Sequence, residues 1–408
     1  MSTSSPCDTL RAWIRLSLEP GLKPVVLRNL LAHAGSADRV YALSHRQLAA
    51  VAGATLATRL RAPVSSELEN AIEATLEWAH DPAHHLLALD DAAYPPLLLE
   101  IHDPPPLLYV VGDPACLSRP AVAVVGARNA TPGGLDNARA FARTLAGRGW
   151  CVVSGLAAGI DAAAHDGALE AGPDGGGTVA VMGTGADIVY PARNRVLAGR
   201  IAAHGALVTE YALGMPALPH QFPRRNRLVA GLARGVLIVE AAVQSGSLIT
   251  ARLAAEAGRE VFAIPGSIHS PLSRGCHALL RQGAKLTEAA HDIISELGGM
   301  QADAGIAGDL FDGRRRMVQS YEVSLPTAAM GSRPDTGDVC ADAPASGGAG
   351  QTGAADSLLQ ALGHDPVHLD DLQRRLQWPA ETVLAGLLAL ELDNSVARLP
   401  GGRYQRRQ

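Results

Sequence analysis

The chain has 408 residues, a formal net charge of −5 and 47% hydrophobic residues, enough length for two or three domains and a sizeable core. A mildly acidic total argues against whole-chain attraction to nucleic acid, so any anion site has to be a local patch. Only Lys23 and Lys285 are lysines, which leaves almost nowhere for a Schiff base or a phosphate-loop lysine. The five cysteines (Cys7, Cys116, Cys151, Cys276, Cys340) have neither zinc-ligand nor redox spacing and read as reduced thiols of a cytoplasmic protein. The N-terminus shows no charged-then-apolar leader, and no apolar run approaches ~18 residues, so neither secretion nor a membrane span is expected.

Residues 1–82 read as a helical, helix-hairpin-helix or SAM-like unit. "LRAWIRLSLEPGLKPVVLRNLLAHAG" places apolar residues at helical spacing between Pro and Gly breaks. "LAAVAGATLATRL" reads as helix, glycine turn, helix. Such a unit can touch a nucleic-acid backbone, but it reads here as a small helical cap.

Residues 83–298 alternate short apolar runs with helical patterns. "AVAVVGAR", "WCVVSG", "TVAVMG", "ALVTEY", "GVLIVEA" and "EVFAIPG" are near-continuously apolar, as buried parallel strands are. Between them "LDNARAFARTLAGRG", "GIDAAAHDGALEAG", "NRVLAGRIAAHG", "FPRRNRLVAGLA" and "GSLITARLAAEAGR" read as helices. The alternation implies an α/β fold, an extended Rossmann-like, doubly wound and mainly parallel sheet. Residues 299–355, rich in Gly, Ala, Asp, Ser and Pro, read as a disordered linker. Residues 356–408 carry three helical stretches and then a hairpin through "PGG", the order of a winged helix.

In an open α/β sheet, ligands bind beyond the carboxyl ends of the strands. The suggestive residues fall there: Gly126 and Arg128; Ser154, Gly155 and Gly159; Gly183 and Gly185; Tyr190, Arg193, Asn194 and Arg195; Ser245 and Gly246; and Gly266. A glycine at such a corner lets backbone amides approach an anion, and helix dipoles favour negative charge, although tight strand-to-helix turns use Gly whatever the function. Neither GxGxxG nor GxxxxGK[ST] occurs, which argues against a dinucleotide oxidoreductase or an ATPase. Asp161 and His165, four apart, share a helix face. A metal or acid–base role is conceivable, but a helix-capping or structural contact fits better.

"FPRRNRLVAGLAR", Phe222 to Arg234, packs four arginines and no acid into thirteen residues. Pro223 suits a first helical turn. Arg224, Arg225 and Arg227 then oppose the helix dipole, so they do not serve to stabilise the helix, and a bound polyanion would compensate them. The competing explanation is ion pairing with Glu210, Glu240 or Asp187. The expectation is that at least one arginine, a buried one, is used this way, and that not all three are.

The string "VGAR", "SGLAAGIDAAAH", "TVAVMGTGADIVYPARN", "FPRRNRLVAGLARGVLIVEA", "SGSLITARLAAEAGREVFAIPG" and "GCHALLRQGA" resembles, in order, the DNA-processing protein A (DprA, also called Smf) family, over about Tyr94 to Gly298. The terminal winged-helix-like unit fits it too. The resemblance implies a Rossmann-like core that binds single-stranded DNA with little sequence preference, and a protein that is usually a homodimer. It implies protection of incoming DNA in natural transformation, RecA loading with displacement of single-strand-binding protein, and no catalysis, cofactor or metal. The DNA-contacting residues it implies are Arg128, Arg193 or Arg195, and Phe222, Arg225, Asn226 and Arg227. With Gly126, Ser154, Gly155, Arg224, Ser245 and Gly246 from the strand-end reading, these form the candidate phosphate site. Phe222 or Tyr190 could stack a base, with burial as a hydrophobic staple the plainer role for Phe222.

This chain departs from the family pattern at Ala127, Thr209 and His277, where relatives often carry Ser, Ser and Asn. The rival reading is a phosphoribohydrolase-like enzyme. The Pro-Gly-Gly-x-Gly-Thr-x-x-Glu signature of such enzymes has no counterpart at the right corner, which reads "EAAVQSGSLITA". In the winged-helix unit, "AETVLAGLLALEL" carries two glutamates and no base, so protein contact is expected there rather than duplex reading, with Arg403, Arg406 and Arg407 as a wing-to-phosphate alternative.

Overall fold

The computed structural model describes residues 6–298 and 351–406, apart from 364, 394 and 400. The expected linker lies outside the described residues through 350, and a helix already begins at Gln351.

Six helices open the chain: α1 (Pro6–Leu18), α2 (Pro24–Ala34), α3 (Ala37–Ala42), α4 (His45–Ala52), α5 (Ala54–Arg61) and α6 (Ser66–Trp78). Local chemistry sets their ends. Ser44 and Gln47 form a reciprocal capping box on α4, Ser65 accepts from the Leu68 amide on α6, and Gly35 closes α2 in the left-handed region. Gly53 alone separates α4 from α5, the helix–glycine–helix unit read from the sequence. The unit is more than a cap. Trp13, Ile14, Leu30 and Leu48 share one core with Leu107, Tyr109, Ala180 and Leu207 of the sheet.

The sheet has nine strands: β1 (His84–Ala88), β2 (Leu107–Gly112), β3 (Ala121–Val125), β4 (Cys151–Ser154), β5 (Thr178–Val181), β6 (Ala206–Thr209), β7 (Gly235–Ile238), β8 (Glu260–Ala263) and β9 (Lys285–Leu286). Their spatial order is β1-β2-β6-β5-β4-β3-β7-β8-β9. β3 to β9 pair parallel, and the six apolar runs form six of these seven strands. β1 and β2 add an antiparallel extension on β6 that the sequence reading did not resolve, and β9 was also missed.

The helices of this region are α7 (Pro96–Leu99), α8 (Pro132–Gly147), α9 (Ile160–Leu169), α10 (Arg195–His204), α11 (Gln221–Gly231), α12 (Gly246–Glu256), α13 (Arg274–Arg281) and α14 (Ala290–Gly298). Alternate residues of each strand feed opposite faces. Ala121, Ala123 and Val125 pack with Leu228, Val229 and Ala251 of α11 and α12, while Val122 and Val124 pack with Ala138, Ala142 and Ala164 of α8 and α9. From β3 the chain winds outward through β4, β5 and β6, then returns to β7 on the other side of β3. The order reverses between β3 and β7, so a crevice opens beyond their carboxyl ends.

The C-terminal unit comprises α15 (Gln351–Leu362), β10 (Val367–His368), α16 (Leu369–Leu376), α17 (Ala380–Leu392), β11 (Val396–Leu399) and β12 (Arg403–Arg406). β12 lies between β10 and β11 in a small antiparallel sheet. Leu358, Leu372, Val383, Leu387 and Tyr404 form its core. The three helices and the hairpin match the sequence reading; β10 is additional. No helix among the described residues is long and apolar enough to cross a membrane.

Candidate anion-binding site

A cleft of about 210 Å³ occupies the crevice between β3 and β7. Its lining brings together Gly126 and Arg128 after β3, Gly155 and Asp161 after β4, Phe222, Arg225 and Asn226 on α11, and Ser245 and Gly246 at the start of α12. Eight of the thirteen candidate residues therefore meet at one place. Ser154 lies beneath it, fully buried, with its hydroxyl donating to the Val124 carbonyl at 2.7 Å.

Most of the glycine corners serve internal guests. A Cβ on Gly155 would fall 2.6 Å from the Arg225 Cζ, so the bare corner accommodates a guanidinium of this chain. A Cβ on Gly126 would meet Ile160 Cγ1 at 2.7 Å and the Glu240 carbonyl oxygen at 2.9 Å. Gly159, with φ +74°, lets the chain pass against the Ala127 and Arg128 carbonyls, where the Ile160 amide donates to Ala127 O at 3.2 Å. Gly246 differs: nothing lies within 4 Å of where its Cβ would be, and it is exposed at the N-terminus of an eleven-residue helix.

Nearby carboxylates already hold backbone amides. Asp161 accepts from the Gly155 and Ala157 amides at 3.1 and 3.4 Å. Glu240 accepts from the Thr131 amide at 2.9 Å and its hydroxyl at 2.5 Å, at the N-terminus of α8. Asp187 accepts from the Gly214 amide, both oxygens at 2.9 Å. Asp161 and His165 do not pair with each other. His165 Nδ1 lies 2.8 Å from the Thr178 hydroxyl, and burial, reinforced by Arg225, pushes its imidazole down to about 3, so it stays neutral. No cluster of three or more His, Cys, Asp or Glu residues that could hold a metal occurs among the described residues.

The arginines divide. Arg225 is buried, and its Nη1 donates to the Gly155 and Val181 carbonyls while Nε donates to Asn226 Oδ1 at 3.3 Å. Burial lowers its pKa and raises that of Asp161, each opposed by the attraction between them. Arg227 does not reach the cleft. It is buried against Glu210, and its Nη1 donates to the Asp103 carbonyl at 2.7 Å. Burial raises the Glu210 carboxyl, opposed first by Arg227 and then by Arg224. Arg224 is exposed, with Nε 3.6 Å from Glu210. The expectation that a buried arginine is ion-paired and that not all three are agrees with this arrangement: Arg227 and Arg224 face Glu210, whereas Arg225 is held by carbonyls. Helix α11 starts beside a strand edge crowded with carbonyls and one buried carboxylate, and each guanidinium finds a partner of its own chain. Of the three acids considered as partners, only Glu210 takes that role; Glu240 and Asp187 turn to amides instead.

Arg128, Arg193 and Arg195 are exposed, and none has a carboxylate partner among the described residues. Asn194, buried between Arg193 and Arg195, donates Nδ2 to the carbonyls of Leu156 and Ala157 at 2.8 and 3.2 Å, which ties their segment to the β4 corner of the cleft. Phe222 is half-buried, with Tyr190 at 5.4 Å between ring centroids and the Arg128 guanidinium 5.7 Å from its ring. Asn226 Nδ2 donates to Gly246 O at 3.4 Å, joining α11 to α12. Asp161 makes a structural contact, as favoured over a metal or acid–base role, but with amides of the preceding corner and not with His165.

Residues 85–298 match the family model for DNA recombination-mediator protein A, and residues 342–402 match the DprA winged helix domain. Among curated proteins, Protein Smf of Escherichia coli (strain K12) is 38% identical over 340 residues, covering 83% of this chain and 81% of that protein. Protein Smf of Synechocystis is 33% identical and covers 97% of this chain and 98% of its own length. The X-ray structure of DNA processing protein A from Streptococcus pneumoniae superposes with a TM-score of 0.61 at 35% identity, covering 72% of this chain and 99% of that one.

Proposed function

The chain belongs to the DNA recombination-mediator protein A (DprA/Smf) family, and on that premise we propose that it binds single-stranded DNA through its phosphates, without sequence preference, during natural transformation. In this reading it works in the cytoplasm as a homodimer that protects the strand, displaces single-strand-binding protein and loads RecA, and it catalyses no reaction. We propose the organisation as a helical unit to residue 82, a sheet domain to 298, a linker, and a winged-helix-like unit from 356 whose first helix reaches back to Gln351.

The observation that carries this reading is the set of exposed guanidiniums that form no ion pair among the described residues: Arg128 at the switch-point cleft beside the exposed, Ser245-capped N-terminus of α12, and Arg193 and Arg195 on the segment tied to its β4 corner. Contacts of this kind go to backbone phosphate and position a strand without reading its bases. Gly126, Gly155, Arg225, Asn226, Ser245 and Gly246 shape the cleft, with Arg225 as its buried positive floor. Arg224 stands at the margin, and Ser154 and Arg227 support from inside. The winged-helix-like unit is proposed to contact protein: α17 exposes Leu384, Leu388 and Leu392, carries Glu381 and Glu391, and has no basic residue.

Anisotropy titration of the full chain with single-stranded and duplex oligonucleotides across a salt series tests the reading. The single strand should bind more tightly, and Arg128→Ala should lower the log–log salt slope by ~0.7. Equal binding of the duplex, or an unchanged slope in a folded variant, would refute it.

A further inference from the structure

We propose that Tyr190 is the base-stacking face of this site and the source of its preference for unpaired strands. The inference rests on the reading above and adds a second contact chemistry to it.

Phe222 lines the cleft and Tyr190 packs against it from outside the lining, and their surroundings differ. Phe222 is hemmed in on several sides. A Cβ on Gly183 would sit 3.0 Å from its Cδ1, Tyr190 leans on it at 5.4 Å, and the Arg128 guanidinium lies 5.7 Å from its ring. Phe222 is thus partly covered by its own chain, with its exposed part turned to the cleft. Tyr190 is 50% exposed and is supported from behind by Phe222. Its hydroxyl has no hydrogen bond among the described residues, and the exposed half of the side chain is open to a ligand.

Phe222 thus contacts both Arg128 and Tyr190, and Arg193 and Arg195 follow Tyr190 within five residues. A strand whose phosphate rests on Arg128 carries the neighbouring base past the Tyr190 ring. Every base has a π-face, so stacking adds affinity without reading sequence. In a duplex those faces are covered by the adjacent base pairs, whereas phosphates are presented by single and double strands alike. Arginine contacts alone would therefore discriminate poorly, and an exposed ring backed by a second ring supplies the discrimination.

The test compares wild type, Tyr190→Ala and Tyr190→Trp in the full chain, with oligothymidylate, an abasic oligonucleotide of the same length, and a duplex. Tyr190→Ala should lower oligothymidylate affinity on the order of tenfold or more, with the salt slope and duplex affinity unmoved. The abasic strand should bind the wild type as weakly as oligothymidylate binds Tyr190→Ala, and the variant should lose nothing further on it. In Tyr190→Trp the indole fluorescence should be quenched by oligothymidylate and not by the abasic strand. A Tyr190→Ala variant that loses as much affinity for the abasic strand as for oligothymidylate, or an unquenched Tyr190→Trp that binds normally, would overturn the proposal. Failure of the underlying reading is distinguishable, since the wild type would then show no salt-dependent preference for single strands at all.

Discussion

Arg227 and Arg128 lie at the same carboxyl end of the sheet, yet their surroundings are opposite. Arg227 is sealed between Glu210 and the Asp103 backbone, whereas Arg128 is exposed beside a cleft with no carboxylate partner among the described residues. The contrast turns on where the nearby acids are directed. Glu210 faces the interior and holds guanidiniums, while Asp161, Glu240 and Asp187 hold backbone amides. The acids around the cleft thereby form no ion pair with the outer arginines, although Asp161 still feels Arg128, and positive charge stays available in a chain that is acidic overall. A cluster of arginines is not itself a ligand site; the commitment of its neighbouring carboxylates decides what it is.

The strongest way to break this contrast is to remove the sealed charge. Arg227→Met leaves Glu210 buried with only the exposed, more distant Arg224 as partner, and loss of one member of a buried pair costs ~3–5 kcal/mol. The unfolding midpoint in urea at neutral pH should fall accordingly, while any variant that still folds keeps its salt slope for single-stranded DNA. A stable variant with a reduced slope would move Arg227 to the open side.

The sealed side should also make stability depend on acid. His165 is held neutral down to about pH 3, against an ordinary value of 6.5. As pH falls below 6.5 the unfolded chain binds a proton that the folded chain refuses, so stability drops between pH 6.5 and 3 by at most ~1.4 kcal/mol per pH unit. Asp161 and Glu210 act in the opposite sense, because raised folded pKa values let the native state bind protons first. Comparing wild type with His165→Asn isolates the histidine. Midpoints at pH 7 and pH 5 should differ less in the variant, and an equal difference would assign the acid response elsewhere.

The fold was legible where one segment carries its own signal. Six apolar runs and five amphipathic stretches gave the parallel sheet and its helices, because a buried strand and a half-buried helix each leave a periodic trace. β1 and β2 were not resolved: "HHLLA" is short and only partly apolar, and its partner is recognisable only once the sheet is assembled. The site was legible as a location and only partly as chemistry. Glycine at Gly155 marks a close approach, but the guest is an arginine 70 residues away. Thr131 meets Glu240 across 109 residues, and Arg227 meets Asp103 across 124. Whether a bare corner faces a ligand or its own chain is a property of tertiary contacts that no local window contains.

The finest test lies on the open side, at Arg193 and Arg195. Both are exposed and flank Asn194, whose amide ties their segment to the carbonyls of Leu156 and Ala157. Replacing either with Ala leaves that anchor in place, so the unfolding midpoint should move by no more than ~0.5 kcal/mol, as for surface changes that break no buried contact. Removing one arginine that touches a phosphate should lower the log–log salt slope on single strands by ~0.7, and the double variant should show the sum if the two act independently. Should one variant lower the slope and the other not, the strand passes on one side of Asn194 only. Unchanged slopes in both would end the open charge at Arg128 and confine the phosphate track to the cleft between β3 and β7.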